Sequence, residues 1–200
     1  MDYKQIEEKA ISYTEYRELS RILVHMGKTT GPDQSESMVN YTKLNQSRMD
    51  KWDKRAVLTE ALGAKLAGLN KHYIWLTLTE AWCGDAAQSL SFIKLMAEAS
   101  HNIEFCLVLR DDYPELINQY LTDGAKSIPK LICLDAENYE VLGTWGPRPE
   151  PAQKMLKEYK ANPNKAQAEF YQEMHLWYAK DKGITLQEEF LNLLNNWEKS

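Results

Sequence analysis

The spacing of hydrophobic positions in this chain changes near residue 72. Before that point, apolar residues recur at intervals of three and four, which is typical of helices packed along one face. After it, short apolar runs alternate with helical stretches, an order that indicates a mostly parallel, buried sheet with helices against it. The pattern therefore predicts an α/β domain that is preceded and followed by helices.

Three helices are predicted in the first part of the chain. An amphipathic helix over about 5–26 ends at Gly27, a residue that suits a helix C-terminus. The turn-forming residues of 29–35 then interrupt the helical period. A second helix is predicted over about 37–49 and a third over about 51–69.

The remainder of the chain contains the strands. The predicted strands are 73–79, 103–109, 130–134 and 139–144, and the predicted helices are 85–99, 114–121, 149–160, 164–181 and 185–197. The aromatic residues of the last two helices are expected to anchor them on the central domain. We predict an N-terminal helical extension over 1–50, a central domain over 51–160, and a C-terminal helical extension over 161–200 that packs on it.

Composition narrows the classes of partner. The chain has 200 residues, 44% hydrophobic and 26% charged, which fits one substantial core with appended helices. A net charge of −5 argues against general binding to nucleic acid or to an anionic membrane. The charged N-terminus lacks a signal-peptide core, and no run reaches the roughly 18 apolar residues of a membrane span. We expect a cytoplasmic protein with no nucleic-acid or membrane partner.

The candidate chemistry lies in the sequence Trp82-Cys83-Gly84-Asp85-Ala86, between a predicted strand and a predicted helix. Unpaired N–H groups and the helix dipole at such a junction stabilise a thiolate. A thiol there is expected to react faster than a free cysteine, whose pKa is about 8.5. The charge of Asp85 opposes the thiolate, so the sequence does not fix the sign of the net pKa shift.

Two cations and two further cysteines bear on this thiol. Lys130 and Arg148 are each either ordinary solvated cations or neighbours that offset Asp85. Cys106 and Cys133 lie in apolar runs, so we predict packing roles on neighbouring strands, in the reduced state and out of reach of Cys83. An odd number of cysteines without metal-ligand spacing fits a reducing compartment.

The histidines and one helix face are further candidate components of a site. The four histidines share no spacing, which indicates neither a metal site nor a Cys-His pair, and each is expected at the surface or at a helix cap: His25, His72, His101 and His175. Tyr41, Asn45, Arg48 and Trp52 repeat at three- and four-residue steps along one helix face. That face either packs the N-terminal helices on the sheet or forms a binding surface near the thiol.

Three motifs together resemble the thioredoxin family. They are Glu80-Ala81-Trp82-Cys83-Gly84-Asp85-Ala86 after a strand, Ile128-Pro129 before a later strand, and Gly143-Thr144-Trp145-Gly146. The resemblance covers about 52–160, and the whole chain is similar to a bacterial branch of that family. It implies an α/β, thioredoxin-like fold with a central mixed sheet flanked by helices.

The resemblance also implies roles for individual residues. Cys83 would be the attacking cysteine, Trp82 would cover it, and Pro129 would be the cis-proline beside the sulfur. Ile128 would offer its backbone to an extended substrate, next to Gly84 and Asp85 in the substrate site.

The departures from the family pattern affect the second half of the exchange reaction, in which the substrate is released from its mixed disulfide with the attacking cysteine. Ala86 replaces the resolving cysteine and Asp85 replaces the usual proline, while Thr77 stands where the family has a buried acid. Ser91 occupies the position of the proline that bends the active-site helix. An outside thiol would therefore have to complete the reaction.

Two functional hypotheses follow. The first is single-thiol disulfide exchange through Cys83 with a protein or low-molecular-weight thiol or disulfide, without cofactor or metal. The second is a non-catalytic module that binds peptides or proteins in the thioredoxin groove. A glutathione-dependent role is disfavoured because 146–149 lacks the expected Gly-Gly plus acid motif, and peroxide reduction lacks the threonine and arginine arrangement of peroxidases.

Overall fold

A five-stranded mixed sheet forms the centre of the protein, which a computed structural model describes over residues 1–199. The strands are β1 (Ile11–Ser12), β2 (Tyr73–Thr79), β3 (Ile103–Leu109), β4 (Lys130–Asp135) and β5 (Val141–Trp145). The helices are α1 (Tyr3–Glu7), α2 (Tyr13–His25), α3 (Glu36–Arg55), α4 (Glu60–Ala67), α5 (Gly84–Glu98), α6 (Pro114–Gln119), α7 (Glu150–Ala161), α8 (Gln167–Asp181) and α9 (Ile184–Trp197).

The strand order of the sheet is β1-β3-β2-β4-β5, with the thiol-bearing connection leaving its central strand. All seven residues of β2 are buried, which explains its continuous apolar run. Only β2 and β3 pair in parallel, whereas the β1–β3, β2–β4 and β4–β5 pairs are antiparallel. The sequence expectation of a mostly parallel sheet is therefore wrong, because β1 and β4 join the parallel pair in antiparallel orientation and β5 follows β4 without an intervening helix. The α/β class with a central mixed sheet is confirmed.

The first predicted helix is two helices with a short strand between them. Ile11 and Ser12 are extended and pair with Leu107 and Cys106 at the edge of the sheet. Ser12 then starts α2, since its side chain accepts the N–H of Glu15 while the Glu15 carboxylate accepts the N–H of Ser12. This reciprocal cap fixes a new helix start inside a segment whose apolar spacing is continuous.

The break between the second and third helices lies later in the chain than the sequence predicts. The helix α3 continues through residue 50, so the predicted domain boundary at 50/51 falls inside it. The chain leaves the helical conformation at Ala56 and resumes it after Thr59. Val57 lies in this connection, inside the range predicted for the third helix, and is 73% exposed.

Two apolar clusters hold the helices. The main core joins the sheet to α4, α5 and α9, and α9 contributes Leu186, Phe190, Leu194 and Trp197. A smaller cluster holds α8 against α7. No helix among residues 1–199 is long and apolar enough to cross a membrane.

The three cysteines are free and buried. Cys106 lies on β3 and Cys133 on β4, so the central strand β2 separates them. The prediction that they occupy neighbouring strands is wrong, because an antiparallel strand is added on each side of the one parallel pair.

Candidate functional site

Cys83 caps the N-terminus of α5, directly beyond the central strand. Its Sγ accepts the N–H of Ala86 at 3.4 Å and donates to the carbonyl oxygen of Ile128 at 3.2 Å. Cys83 is only 6% exposed. The thiol is therefore held between the first turn of a helix and the loop that enters β4.

The predicted site residues converge on this thiol. Trp82, Cys83, Gly84, Asp85 and Ile128 line one pocket of about 420 Å³. The Ile128–Pro129 peptide bond is cis, and both residues are buried at the start of β4. The Arg110 guanidinium lies over the Trp82 ring, 4.9 Å from its centroid.

Asp85 is held beside the thiol by two side chains from later in the chain. Arg148 Nη2 lies 2.5 Å from Asp85 Oδ2, and the Tyr178 hydroxyl donates to Asp85 Oδ1 at 2.8 Å. Lys130 instead directs its Nζ to Thr122 Oγ1 and to the Gly146 carbonyl oxygen, at 2.8 and 3.0 Å. Of the two candidate cations, Arg148 is therefore the one that partly neutralises the negative charge of Asp85.

The environment of Cys83 favours the protonated thiol. Burial, followed by the charge of Asp85, raises its pKa to about 12, although the Ala86 N–H and Arg148 act in the opposite direction. The stabilisation of the thiolate by the helix N-terminus is thus smaller than the cost of removing that thiolate from solvent. At neutral pH the resting thiol carries its proton, which the hydrogen bond to Ile128 requires.

We expect Asp85→Asn to lower the pKa of Cys83, because the substitution removes a nearby negative charge and leaves Arg148 without its partner. The thiolate fraction at a pH below the pKa rises about tenfold for each unit by which the pKa falls. The measurement is the pH dependence of Cys83 alkylation by iodoacetamide in a Cys106→Ser, Cys133→Ser background.

The matched control for this prediction is Asp112→Asn, which removes one charge from an exposed position outside the pocket. An unchanged or higher alkylation midpoint in Asp85→Asn would contradict the electrostatic role assigned to Asp85.

A profile of the thioredoxin family matches residues 31–160, which include the cysteine motif, the Ile128–Pro129 bond and the whole sheet except β1. The chain belongs to the thioredoxin family. The match begins in the loop before α3 and ends in α7. Helices α8 and α9 lie outside it.

Solved structures support the same fold. A protein of unknown function from Pseudomonas aeruginosa is 18% identical, with a TM-score of 0.58 over 92% of this chain and 98% of that one. An HIV epitope scaffold is 18% identical, with a TM-score of 0.56 over the same fractions. No curated protein matches the sequence. At this identity the two structures show the fold alone.

In this thioredoxin family member, α3 forms one wall of the pocket. Tyr41 and Arg48 line it, whereas Asn45 and Trp52 are buried behind it. Asn45 Nδ2 donates to the Ala81 carbonyl oxygen at 2.9 Å, and Arg48 Nη1 donates to Asn45 Oδ1 at 2.7 Å. Both roles proposed for this helix face are therefore present. Asn45 and Trp52 pack in the interior, and Tyr41 and Arg48 line the pocket.

Helix α8 forms the opposite wall and carries His175, which the sequence placed at the surface or at a cap. That expectation is wrong, because His175 is half-buried in the pocket beside Gly84. A Cβ on residue 84 would lie 3.0 Å from His175 Cε1, a tight contact that the glycine avoids. Burial, together with the nearby Arg48, lowers the pKa of His175 to about 4.

Proposed function

We propose that this protein performs single-thiol disulfide exchange through Cys83 and depends on an external thiol to complete each cycle. The observation that carries the proposal is the placement of the Cys83 sulfur at the α5 N-terminus, facing a pocket beside the Ile128–Pro129 bond. The substrate would be a protein or low-molecular-weight disulfide, and the reaction needs neither a cofactor nor a metal ion.

The proposed cycle has two exchange steps. The Cys83 thiolate attacks one sulfur of a disulfide, a mixed disulfide forms, and the other sulfur leaves as a thiolate that takes up a proton. A low-molecular-weight thiol then attacks the substrate sulfur of the mixed disulfide, which restores Cys83 and releases a disulfide between that thiol and the substrate half. In solution a second molecule of the thiol attacks this released disulfide. Overall the external thiol is oxidised to its disulfide, both halves of the substrate disulfide end as thiols, and Cys83 is unchanged.

The residues around Cys83 support this dependence on an outside thiol. Ala86 supplies only a backbone N–H to the sulfur, and Thr77 is fully buried without an ionisable group. The nearby buried acid, Glu80, accepts the backbone N–H of Asp111 with its Oε1 at 2.9 Å. Neither the resolving thiol nor the proton-transferring acid of a two-cysteine thioredoxin is therefore present in its usual place.

The test is to oxidise the Cys106→Ser, Cys133→Ser variant with a small disulfide and to follow the adduct by intact-mass spectrometry. We expect one adduct on Cys83, formed faster as the pH rises because the raised pKa keeps the thiol protonated at neutral pH. Addition of a second thiol should release it. Absence of any adduct from the folded protein across the alkaline range would contradict the proposal.

The same raised pKa favours the second candidate, a non-catalytic module that binds peptides or proteins in the groove beside Trp82 and Ile128. A protonated, hydrogen-bonded thiol would then be part of the groove wall. Peptide binding that persists after alkylation of Cys83, together with absence of exchange, would favour this module. The free state of all three cysteines supports a cytoplasmic location for either function.

A further inference from the structure

One half-buried cation in the pocket has no carboxylate in direct contact within residues 1–199. Arg148 pairs with Asp85 and Arg110 with Asp111, whereas within residues 1–199 no carboxylate oxygen lies within 4.0 Å of a nitrogen of Arg48. The Arg48 side chain donates instead to the neutral amide oxygen of Asn45. Burial lowers the pKa of Arg48, while the charge of Asp85 acts in the opposite direction, and an arginine stays charged in proteins. Because Asp85 itself is paired with Arg148, the guanidinium of Arg48 has room for an anionic partner from a ligand.

A second hydrogen-bond donor faces the same point. The Trp52 indole N–H donates to Gln88 Oε1 at 2.6 Å, which orients the Gln88 amide nitrogen toward His175 Nδ1 at 3.2 Å. Because an amide nitrogen donates, Nδ1 must accept, and the proton of the neutral imidazole lies on Nε2. The chain of contacts from Trp52 thus fixes His175 as a donor at Nε2.

The two donors converge above Gly84. The position that a Cβ would take on Gly84 lies 3.3 Å from His175 Nε2 and 3.7 Å from Arg48 Nη1. Gly84 is adjacent in sequence to Cys83, and all four residues line the same pocket. The guanidinium and the imidazole N–H therefore both lie close over Gly84, on the side of the pocket next to the thiol.

We propose that Arg48 and His175 form a carboxylate-binding subsite and that the disulfide exchanged by Cys83 is a small molecule that carries a carboxylate group. This inference rests on the proposed exchange function. A guanidinium matches a carboxylate in geometry and charge, and the His175 N–H adds a neutral hydrogen bond.

The walls of the pocket favour a small substrate over a protein disulfide. Helices α3 and α8 line the pocket with Met38, Tyr41, Tyr171 and Met174, and Cys83 itself is 6% exposed. A volume of about 420 Å³ lies in the range of small-molecule sites. The covering helices thus leave space for a compact ligand beside a sulfur that is nearly inaccessible to a folded protein surface.

The test compares an anionic with a neutral small disulfide on the same thiol. In the Cys106→Ser, Cys133→Ser background, the second-order rates of dithiobis(nitrobenzoate), which carries carboxylates, and of dithiodipyridine, which is neutral, are followed by absorbance. We expect Arg48→Gln to lower the anionic-to-neutral rate ratio at least tenfold. The intrinsic reactivities of the two reagents cancel when the ratio is compared between variants.

The control variant is Arg55→Gln, which makes the same charge change at an exposed position of α3 and should leave the ratio within twofold. Arg48→Lys keeps a charge but loses the planar fork, and we expect an intermediate ratio. Circular dichroism and thermal unfolding verify that each variant is folded.

Different outcomes separate the two proposals. A ratio that stays within twofold in both Arg48 variants, or insulin disulfides reacting faster than the anionic reagent, would overturn the carboxylate subsite while exchange at Cys83 stands. Failure of the folded parent protein to react with either small disulfide would instead overturn the exchange function itself.

Discussion

Replacing Cys83 with serine is expected to abolish mixed-disulfide formation and to leave the fold intact. The serine hydroxyl can accept the Ala86 N–H and donate to the Ile128 carbonyl oxygen, the two bonds that the thiol makes. Because these buried partners stay satisfied, we expect the free energy of unfolding to change by about 1 kcal/mol or less. Exchange with a small disulfide should fall to the rate of the reagent in buffer.

The controls for Cys83→Ser are Cys106→Ser and Cys133→Ser, which remove thiols from β3 and β4. Both should keep the mixed-disulfide reaction if they fold. Residual exchange in Cys83→Ser that disappears only when a second cysteine is removed would contradict the assignment. If Cys83→Ser keeps a bound peptide partner while the wild type shows no exchange, the binding module is favoured instead.

Replacing Phe190 with alanine is expected to lower the free energy of unfolding by about 3–5 kcal/mol, the usual range for a buried phenylalanine. Phe190 is fully buried, and its ring centroid lies 5.2 Å from that of Trp75 and 5.4 Å from that of Trp145. The substitution opens a cavity between α9 and the sheet. Urea unfolding followed by far-ultraviolet circular dichroism measures the loss.

The matched control is Leu176→Ala on α8, where the side chain is 59% exposed and the expected change is within about 0.5 kcal/mol. A loss below about 1 kcal/mol in Phe190→Ala would contradict the placement of α9 in the main core.

The sequence predictions are most accurate for elements whose own residues carry the pattern. The bounds 73–79 and 103–109 match β2 and β3, because apolar runs of a buried central sheet are hard to mistake. The two-residue strand β1 was missed, since its extended conformation depends on pairing with β3 rather than on its own residues. The connection after α3 was missed because it contains neither glycine nor proline.

The candidate site likewise has residues that local sequence patterns predict and residues that only the tertiary structure brings in. The motif around Cys83 and the later Ile128–Pro129 pair were visible as short patterns, and the structure places them in contact. His175 was not visible, because its role depends on how α8 lies against α5, and its own spacing carries no signal. The sign of the Cys83 pKa shift was also open, since it depends on burial by helices whose placement the sequence does not specify.

The location of α8 and α9 late in the chain has a consequence for protein synthesis. A ribosome makes the segment from β2 to α5 long before it makes Phe190 and Trp197, which cover Trp75 on the sheet. The nascent chain therefore presents the Cys83 thiol without its α8 wall. An oxidant or alkylating agent therefore meets a less covered thiol during this interval than in the finished protein, where α8 lies over the pocket. The newly made thiol is thus more open to chemical modification than the mature one.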